Sequence, residues 1–393
     1  ISLRLFDVEG SRKYHIEFNG RSFSLQTSFL QILGTHYTTY QQIMDVIPTF
    51  NLVEGDLSPA FVGIPNQMSD KIRLIADVLA KIKQLVPSID LVHDAISKKI
   101  IKSLGSPILT FGNYTPAISL IYNYPFLFPY DLRAFFVDIH GFDLSLSEYQ
   151  TYAKLFPLEA TLKMKERHIF LSIRRDHIFE DGLIYLEHAK GPIRPLVEFK
   201  NEGAFGTGPT QEFFNLLSKE FLRKDKRMWV DDNLDSVYAS SRGGLFPHPE
   251  ADPHLFYLYG SFFAKAALSK CHITAPLSLA FVRAFKGEQI FLNDVLDRDT
   301  MELFLHKENL YGMAYECPLE GCTMENPMGY DMVVDANVDA FIKAYEDVRI
   351  GQKVQNLIKS FHDGYASVVP IETLSVFDAE ETLTYFTGTM KTS

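Results

Sequence analysis

The chain has 393 residues, of which 46% are hydrophobic and 22% are charged, and its net charge is -11 at pH 7. At roughly 100 to 200 residues per domain, this length predicts two or three folded units with cores of their own. The composition is that of a globular protein and excludes a disordered or fibrous one. The acidic balance argues against a nucleic-acid partner, because binding phosphates requires a concentrated Lys/Arg surface.

The sequence also argues against a membrane protein. It has no uninterrupted apolar run of about 18 residues, which a spanning helix would need. Three cysteines in a chain of this length are typical of a reducing compartment, so we expect the cytoplasm, the nucleus or both. The start "ISLRLFDVEG" has neither an initiator Met nor a signal-peptide pattern, which favours an excised fragment of a longer protein.

The first hundred residues are predicted to begin with strands and to continue with helices. Alternation in "YHIEFNGRSFSLQ" indicates a hairpin that turns at Asn19-Gly20. A short helix is predicted around "TSFLQIL", followed by a loop at 50–68. Apolar residues at helical spacing predict a helix from Ser69 in "SDKIRLIADVLAKIKQLV", and "LVHDAISKKIIKSL" repeats the pattern.

Helices are predicted to dominate from about residue 115 onward, with a few short strands, so the fold class is α+β and mostly helical. The helix after residue 209 should turn Phe213, Phe214, Leu217 and Phe221 inward. The patterns predict a turn and helix at 122–142, a strand entering a helix at 168–179, a strand at 195–202, helices at 210–224 and 253–270, and one or two helices at 338–369.

The glycine-rich stretch "GAFGTG" at 203–208 follows a predicted strand and precedes a predicted helix, as nucleotide-binding loops do. It lacks the lysine of a phosphate-binding loop, and Pro209 removes a backbone donor at the helix entrance. We therefore expect a strand-to-helix turn in which glycines supply positive φ and Thr207 or Thr210 caps the helix. No cofactor is predicted.

Two clusters contain residue types that could bind a metal. His248, Asp252 and His254 lie in "PHPEADPH", and Cys317 and Cys322 lie in "CPLEGC". Neither spacing matches a closed zinc site, so surface-turn chemistry is the preferred interpretation and no metal is predicted.

No complete active site is evident from the residues alone. Cys271 has His272 beside it, but it ends an apolar helix and is expected to be a small buried residue rather than a nucleophile. Asp176 in "DHIFED" is expected to pair with the neighbouring Arg174 and Arg175 rather than to act as an acid or base.

Six blocks follow one another between about residues 115 and 388: "YPFLFPYDLRAFFV", "SIRRDHIFEDG", "LVEFKNEGAFGTGPTQEFFNLLSKE", "GLFPHP", "YLYGSFFAKAALSKCHITAPLSLAF" and "FHDGYASVVPIETLSVFDAEETLTYFTG". In this order the blocks resemble HECT-type ubiquitin-protein ligases. The N-terminal "IEFNGRSFSLQTS" and the stretch "SKKIIKSLGSPILTFGNYTPAISLIYNYPFLFPY" further resemble the ubiquitin-fusion-degradation branch, also called the thyroid-receptor-interacting type.

This resemblance implies a bilobal N-lobe, with a large helical subdomain and a small α/β subdomain at about 298–350 that binds a ubiquitin-conjugating enzyme. Residues 1–100 would precede the HECT domain, 101–388 would form the N-lobe, and 389–393 would begin the hinge. The C-lobe with the thioester-forming cysteine is expected to be absent from this chain. None of the three cysteines matches that cysteine, so the fragment alone should bind and not transfer ubiquitin.

The resemblance also implies the partners: a conjugating enzyme, ubiquitin and protein substrates destined for proteasomal degradation. A non-catalytic scaffold that only binds conjugating enzymes stays the alternative. The seven candidate docking residues are apolar or aromatic, each could instead belong to the subdomain's own core, and Phe341 matches a groove phenylalanine of the family. They are Phe304, Leu305, Leu310, Met313, Tyr315, Phe341 and Tyr345.

Overall fold

The computed structural model describes residues 2–8, 11–18, 21–26, 80, 83–84, 121–142, 168–232 and 235–388. The chain divides into two compact units, Ile1–Pro129 and Tyr130–Ser393. The predicted boundary at residue 100 stays a prediction. The described part of the chain is mostly helical, with two small sheets, which agrees with the expected α+β class.

The first unit contains an antiparallel three-stranded sheet in the order β1 (Ser2–Val8), β2 (Ser11–Phe18) and β3 (Arg21–Gln26). Phe18 pairs with Arg21, which confirms the predicted hairpin around 19–20. The helices predicted at 27–33 and 91–104 and the loop at 50–68 lie outside the described residues, as does most of the helix predicted from Ser69. A 3-10 turn at Pro125–Leu127 confirms the turn predicted there.

The second unit begins with helix α1 (Tyr130–Phe142) and contains a second small sheet. Strand β4 (His168–Ile173) enters a 3-10 turn at Arg175–His177 and helix α2 (Ile178–His188), and strand β5 (Arg194–Phe199) returns parallel to β4. This is a βαβ crossover. A short strand β6 (Phe205–Gly206) pairs antiparallel with β5.

The glycine stretch leads into helix α3 (Thr207–Phe221), and all four residues predicted to face inward are fully buried. Gly203 and Gly206 have positive φ, as predicted. The predicted threonine cap is wrong, because Gly206 is the N-cap residue and no side chain caps the helix. Thr210 Oγ1 instead donates to the Gly206 carbonyl at 2.7 Å and accepts from Val197 N at 3.2 Å, which ties α3 to β5.

The core of this unit is the packing of α4 (Pro253–Leu268) against α9 (Gln352–Ala366). Helix α4 is buried on nearly every side, as its sequence predicted. The Phe361 ring of α9 lies 5.3 Å from the Phe263 ring and 5.2 Å from the Phe281 ring, measured between centroids. The rings pack edge to face at these distances and fill the space between the helices.

The remaining described helices and 3-10 turns lie after α3 in the chain. None of the helices in the described ranges combines the length and the apolar character needed to cross a bilayer. They are α5 (Leu279–Phe285), α6 (Leu292–Val295), α7 (Arg298–Phe304), 3-10 turns at Lys224–Lys226, Lys307–Leu310 and Ile371–Val376, α8 (Val338–Ile350) and α10 (Ala379–Thr387).

Helix α10 is hydrogen-bonded to α1 through buried and half-buried polar side chains. Arg133 Nη1 donates to Glu381 Oε2 at 2.6 Å and to the Val376 carbonyl at 2.7 Å. The Tyr385 hydroxyl donates to Asp138 Oδ1 at 2.6 Å. Because these partners lie 248 and 247 positions apart in sequence, the contacts join the two ends of the unit.

Candidate functional site

Segment 298–350 has a small hydrophobic cluster of its own. Helix α8 contributes Val338, Phe341 and Tyr345 to it from one face, since residues three and four apart lie on the same side of a helix. Leu310, Tyr315 and Val333 complete the buried part. Centroid distances of 5.2 Å between Tyr315 and Phe341, and 4.8 Å between Phe304 and Tyr345, show close ring packing.

Two extended stretches of this segment, 311–315 and 331–334, run alongside each other. The Val333 amide donates to the Met313 carbonyl at 2.8 Å, and the Tyr315 amide donates to the Asp331 carbonyl at 2.8 Å. Side chains of an extended strand alternate between faces. Val333 therefore points into the cluster, and its neighbours Met332 and Val334 are exposed.

Asn337, just before α8, holds this arrangement in place. Its side chain is 1% exposed, accepts from Val334 N at 2.7 Å and donates to the Met332 carbonyl at 2.9 Å. A buried amide with both ends hydrogen-bonded fixes the backbone around it, because either partner left alone would be an unsatisfied polar group. The exposed Met332 and Val334 are thus presented on an anchored stretch.

The seven candidate docking residues divide into three classes. Leu310, Tyr315, Phe341 and Tyr345 are buried in the cluster, with Phe341 only 2% exposed. Phe304 and Met313 are half-buried and pack against it. Leu305 is 65% exposed. Their role in docking stays a prediction, and in this conformation Leu305 is the member most available to a partner.

The segment has six other exposed apolar residues that the sequence does not predict as docking residues. The sequence pattern does not reveal their exposure, because exposed and buried apolar residues alternate within one short stretch. They are Leu303, Tyr311, Met328, Tyr330, Met332 and Val334.

Cys271 and Cys322 are in environments that disfavour nucleophilic chemistry. Cys271 is buried as predicted, and burial raises the pKa of its thiol to about 12. Burial, followed by the influence of Cys317, raises the pKa of Cys322 to about 11. A nucleophilic cysteine requires the opposite, a lowered pKa that stabilises the thiolate.

The predicted turn chemistry around residue 250 agrees with the structure. Asp252 Oδ1 accepts from His254 N at 2.8 Å and so caps α4. His254 Nε2 lies 3.2 Å from Glu187. Within the described ranges, no group of three or more His, Cys, Asp or Glu side chains could hold a metal ion.

The predicted pairing of Asp176 with the neighbouring arginines is wrong. Arg174 hydrogen-bonds Asp181 at 2.6 Å, and Arg175 reaches Glu202 and Glu212. The cause is the βαβ turn, which brings the more distant carboxylates toward the two guanidinium groups.

Comparison with known proteins finds similarity to one family. Residues 215–393 match the HECT-domain (ubiquitin-transferase) model. The chain is 26% identical over 293 residues to E3 ubiquitin-protein ligase UPL4 of Arabidopsis thaliana, which covers 62% of the chain and 19% of that protein. It is 24% identical over 334 residues to a probable ubiquitin fusion degradation protein of Schizosaccharomyces pombe, which covers 74% of the chain and 20% of that protein.

A third relative extends the match. The chain is 23% identical over 376 residues to ubiquitin fusion degradation protein 4 of Saccharomyces cerevisiae, covering 79% of the chain and 24% of that protein. The chain thus spans about a fifth to a quarter of the length of these curated relatives. With the six sequence blocks and the mostly helical fold, these matches show that the chain is similar to HECT-type ubiquitin-protein ligases, including those of the ubiquitin-fusion-degradation branch.

Proposed function

We propose that the whole protein is a HECT-type ubiquitin-protein transferase, which accepts ubiquitin from a conjugating enzyme as a cysteine thioester and passes it to substrate lysines. In this proposal residues 101–388 form the N-lobe, and segment 298–350 is its small subdomain, which docks the conjugating enzyme. The protein works in the cytoplasm or nucleus, and its substrates are directed to the proteasome. The names of the relatives support the activity, and the surface of segment 298–350 supports the docking role.

The observation that carries the docking role is a set of exposed apolar side chains on an anchored scaffold. Leu305, Met328, Tyr330 and Met332 are all about half exposed or more. Exposed Met and Tyr side chains adapt well to a transient protein partner. The buried cluster, which includes the candidate docking residues Leu310, Tyr315, Phe341 and Tyr345, supports the fold of this segment.

The chemistry of the cysteines supports a proposal in which docking and ubiquitin transfer are carried out by different lobes of the whole protein. A thioester forms when a thiolate attacks the conjugating enzyme's thioester carbonyl, the enzyme's thiolate leaves, and ubiquitin moves to the new sulfur. Cys271 and Cys322 are held as thiols by burial, and Cys271 is closed to solvent. We place the ubiquitin-accepting cysteine in a separate lobe, outside these 393 residues.

The full-length protein provides the experiment. Incubated with a ubiquitin-charged conjugating enzyme, it should acquire a ubiquitin adduct that disappears on a reducing gel, and the adduct should persist when Cys271, Cys317 and Cys322 are replaced by serine. An adduct lost in the triple variant would overturn the placement of the cysteine. Binding of the charged enzyme with no reducible adduct would favour the non-catalytic scaffold.

A further inference from the structure

The loop Cys317–Cys322, called the thiol loop below, carries two cysteines that the proposed transfer chemistry does not use. Both side chains are half-buried and pack against the cluster of Val230, Leu319 and Val348. The loop turns back on itself, since Cys322 N donates to the Leu319 carbonyl at 3.3 Å and Gly321 has a φ of +74°. Glycine adopts this left-handed conformation without strain. The fold therefore brings the two ends of the loop together.

The two cysteines share one environment, because both pack against Val230, Leu319 and Val348. Burial, followed by the electrostatic influence of Cys317, raises the pKa of Cys322 to about 11. Disulfide formation requires two β-carbons about 4 Å apart. The turn from Leu319 to Cys322 and the shared packing place both side chains against the same three residues, and small reagents can reach half-buried thiols.

His248 contacts the thiol loop without activating either thiol. Its Nδ1 accepts from Glu250 N at 3.3 Å, so the ring proton lies on Nε2, which donates to the Glu320 carbonyl at 3.2 Å. Nε2 also lies 3.8 Å from Cys322 Sγ. Burial lowers the pKa of His248, which keeps the imidazole neutral. The loop is thus anchored through a backbone carbonyl, and this anchor does not depend on the redox state of the thiols.

We propose that Cys317 and Cys322 are a redox modification site that closes to a reversible intraloop disulfide under a peroxide-class oxidant. The Cys317 thiolate attacks a peroxide oxygen, the O–O bond breaks, and the leaving hydroxide takes a proton to become water. Cys322, after giving up its proton, then attacks the resulting sulfenic sulfur, and the hydroxyl leaves as a second water. Both sulfurs are oxidised by one electron, the peroxide takes up two, and a dithiol reductant restores the pair.

The disulfide would close a loop of segment 298–350 that contacts the stretch containing Val230 and His248. This role goes beyond the proposed ubiquitin transfer and does not depend on it. A chain that binds no conjugating enzyme could still carry the redox site.

Peptide mapping of the full-length protein tests the proposal. Diamide is used as the oxidant because it removes two hydrogens from a thiol pair and spares the methionines. Trypsin releases Cys317 and Cys322 together in the peptide 308–343 and Cys271 alone in the peptide 271–283. After oxidation, native quenching and alkylation, the first peptide should lose both alkylatable thiols and the mass of two hydrogens, and dithiothreitol should restore both. The second peptide should stay fully alkylatable after unfolding.

The variant Cys317→Ser is the matched control. Cys322 has no partner thiol in this variant, so its alkylation after diamide treatment should stay at the untreated level. Three results would overturn the proposal: equal loss of Cys322 labelling in the variant, loss of Cys271 labelling as fast as that of the pair, or a wild-type peptide 308–343 that keeps both thiols.

Discussion

Gly364 lies directly against the carbonyl of Tyr257, so closely that a β-carbon on the glycine would be 1.8 Å from that oxygen. The contact has a counterpart one turn away, where a β-carbon on Gly260 would lie 2.0 Å from the Phe361 carbonyl. Helices α4 and α9 therefore touch backbone to backbone at two glycines, and the aromatic rings of the core pack around this crossing.

Adding a methyl group at this crossing should separate the helices. Gly364→Ala is expected to lower the free energy of unfolding by about 3 kcal/mol or more, because neither backbone can move without disturbing the rings. Chemical denaturation monitored by circular dichroism measures the loss. Gly208→Ala in the first turn of α3 is the control, since its β-carbon meets nothing within 4 Å and should leave stability equal or slightly raised. Equal effects of the two substitutions would contradict the crossing.

The Arg133–Glu381 pair should make the unit sensitive to acid. Burial alone would raise the pKa of Glu381, but the hydrogen bonds and charge of Arg133 outweigh it and the pKa is lowered. A carboxyl with a lowered pKa stabilises the fold above its unfolded pKa, and this stability disappears as the pH falls through the folded value. Unfolding free energy should therefore decline from about pH 4.5 downward.

Glu381→Gln separates this charge effect from helix capping, because glutamine can still cap α10 in place of the carboxylate that bonds Asp378 N. The variant should lose about 1–3 kcal/mol at pH 7 and show a shallower decline in acid. The exposed Glu372→Gln changes the net charge equally and should leave both stability and slope intact. The same acid slope in Glu381→Gln as in the parent would refute the role of the pair.

Two buried tyrosines should respond differently to loss of the hydroxyl. The Tyr185 hydroxyl donates to the Ile193 carbonyl at 3.0 Å, so Tyr185→Phe should cost about 1 kcal/mol. The Tyr259 hydroxyl is fully buried and has no hydrogen-bond partner among the described residues. Tyr259→Phe should leave the thermal midpoint unchanged or raise it, and a clear drop would mean that the hydroxyl is bonded after all.

Phe341→Ala is expected to lower the stability of the fold, and not only the affinity for a partner. From the sequence alone, a groove role predicts weaker binding with an unchanged thermal midpoint. A ring that is 2% exposed instead predicts a loss of about 3–5 kcal/mol, as for other buried phenylalanines. Differential scanning calorimetry decides between the docking role and the core role. An unchanged thermal midpoint would contradict the core role and favour Phe341 as a docking residue.

The long amphipathic and apolar helices were predictable because their periodicity is local. The 253–270 pattern became α4, and the 338–369 pattern became α8 and α9. The exposure of Met332 beside the buried Val333 was not predictable, since it depends on pairing with 311–315 across an intervening loop. The partners of Arg175, which are Glu202 and Glu212, likewise depend on how distant segments meet.

Binding of a conjugating enzyme to segment 298–350 tests the central claim most directly. Titrating a ubiquitin-charged enzyme, followed by fluorescence anisotropy, should give at least about tenfold weaker binding for Leu305→Ser and Met332→Ser, which are 65% and 47% exposed. Phe170→Ser, at a 74% exposed position on β4, should bind like the parent chain. Parent-like affinity in both segment variants, with their folds intact, would contradict the docking role.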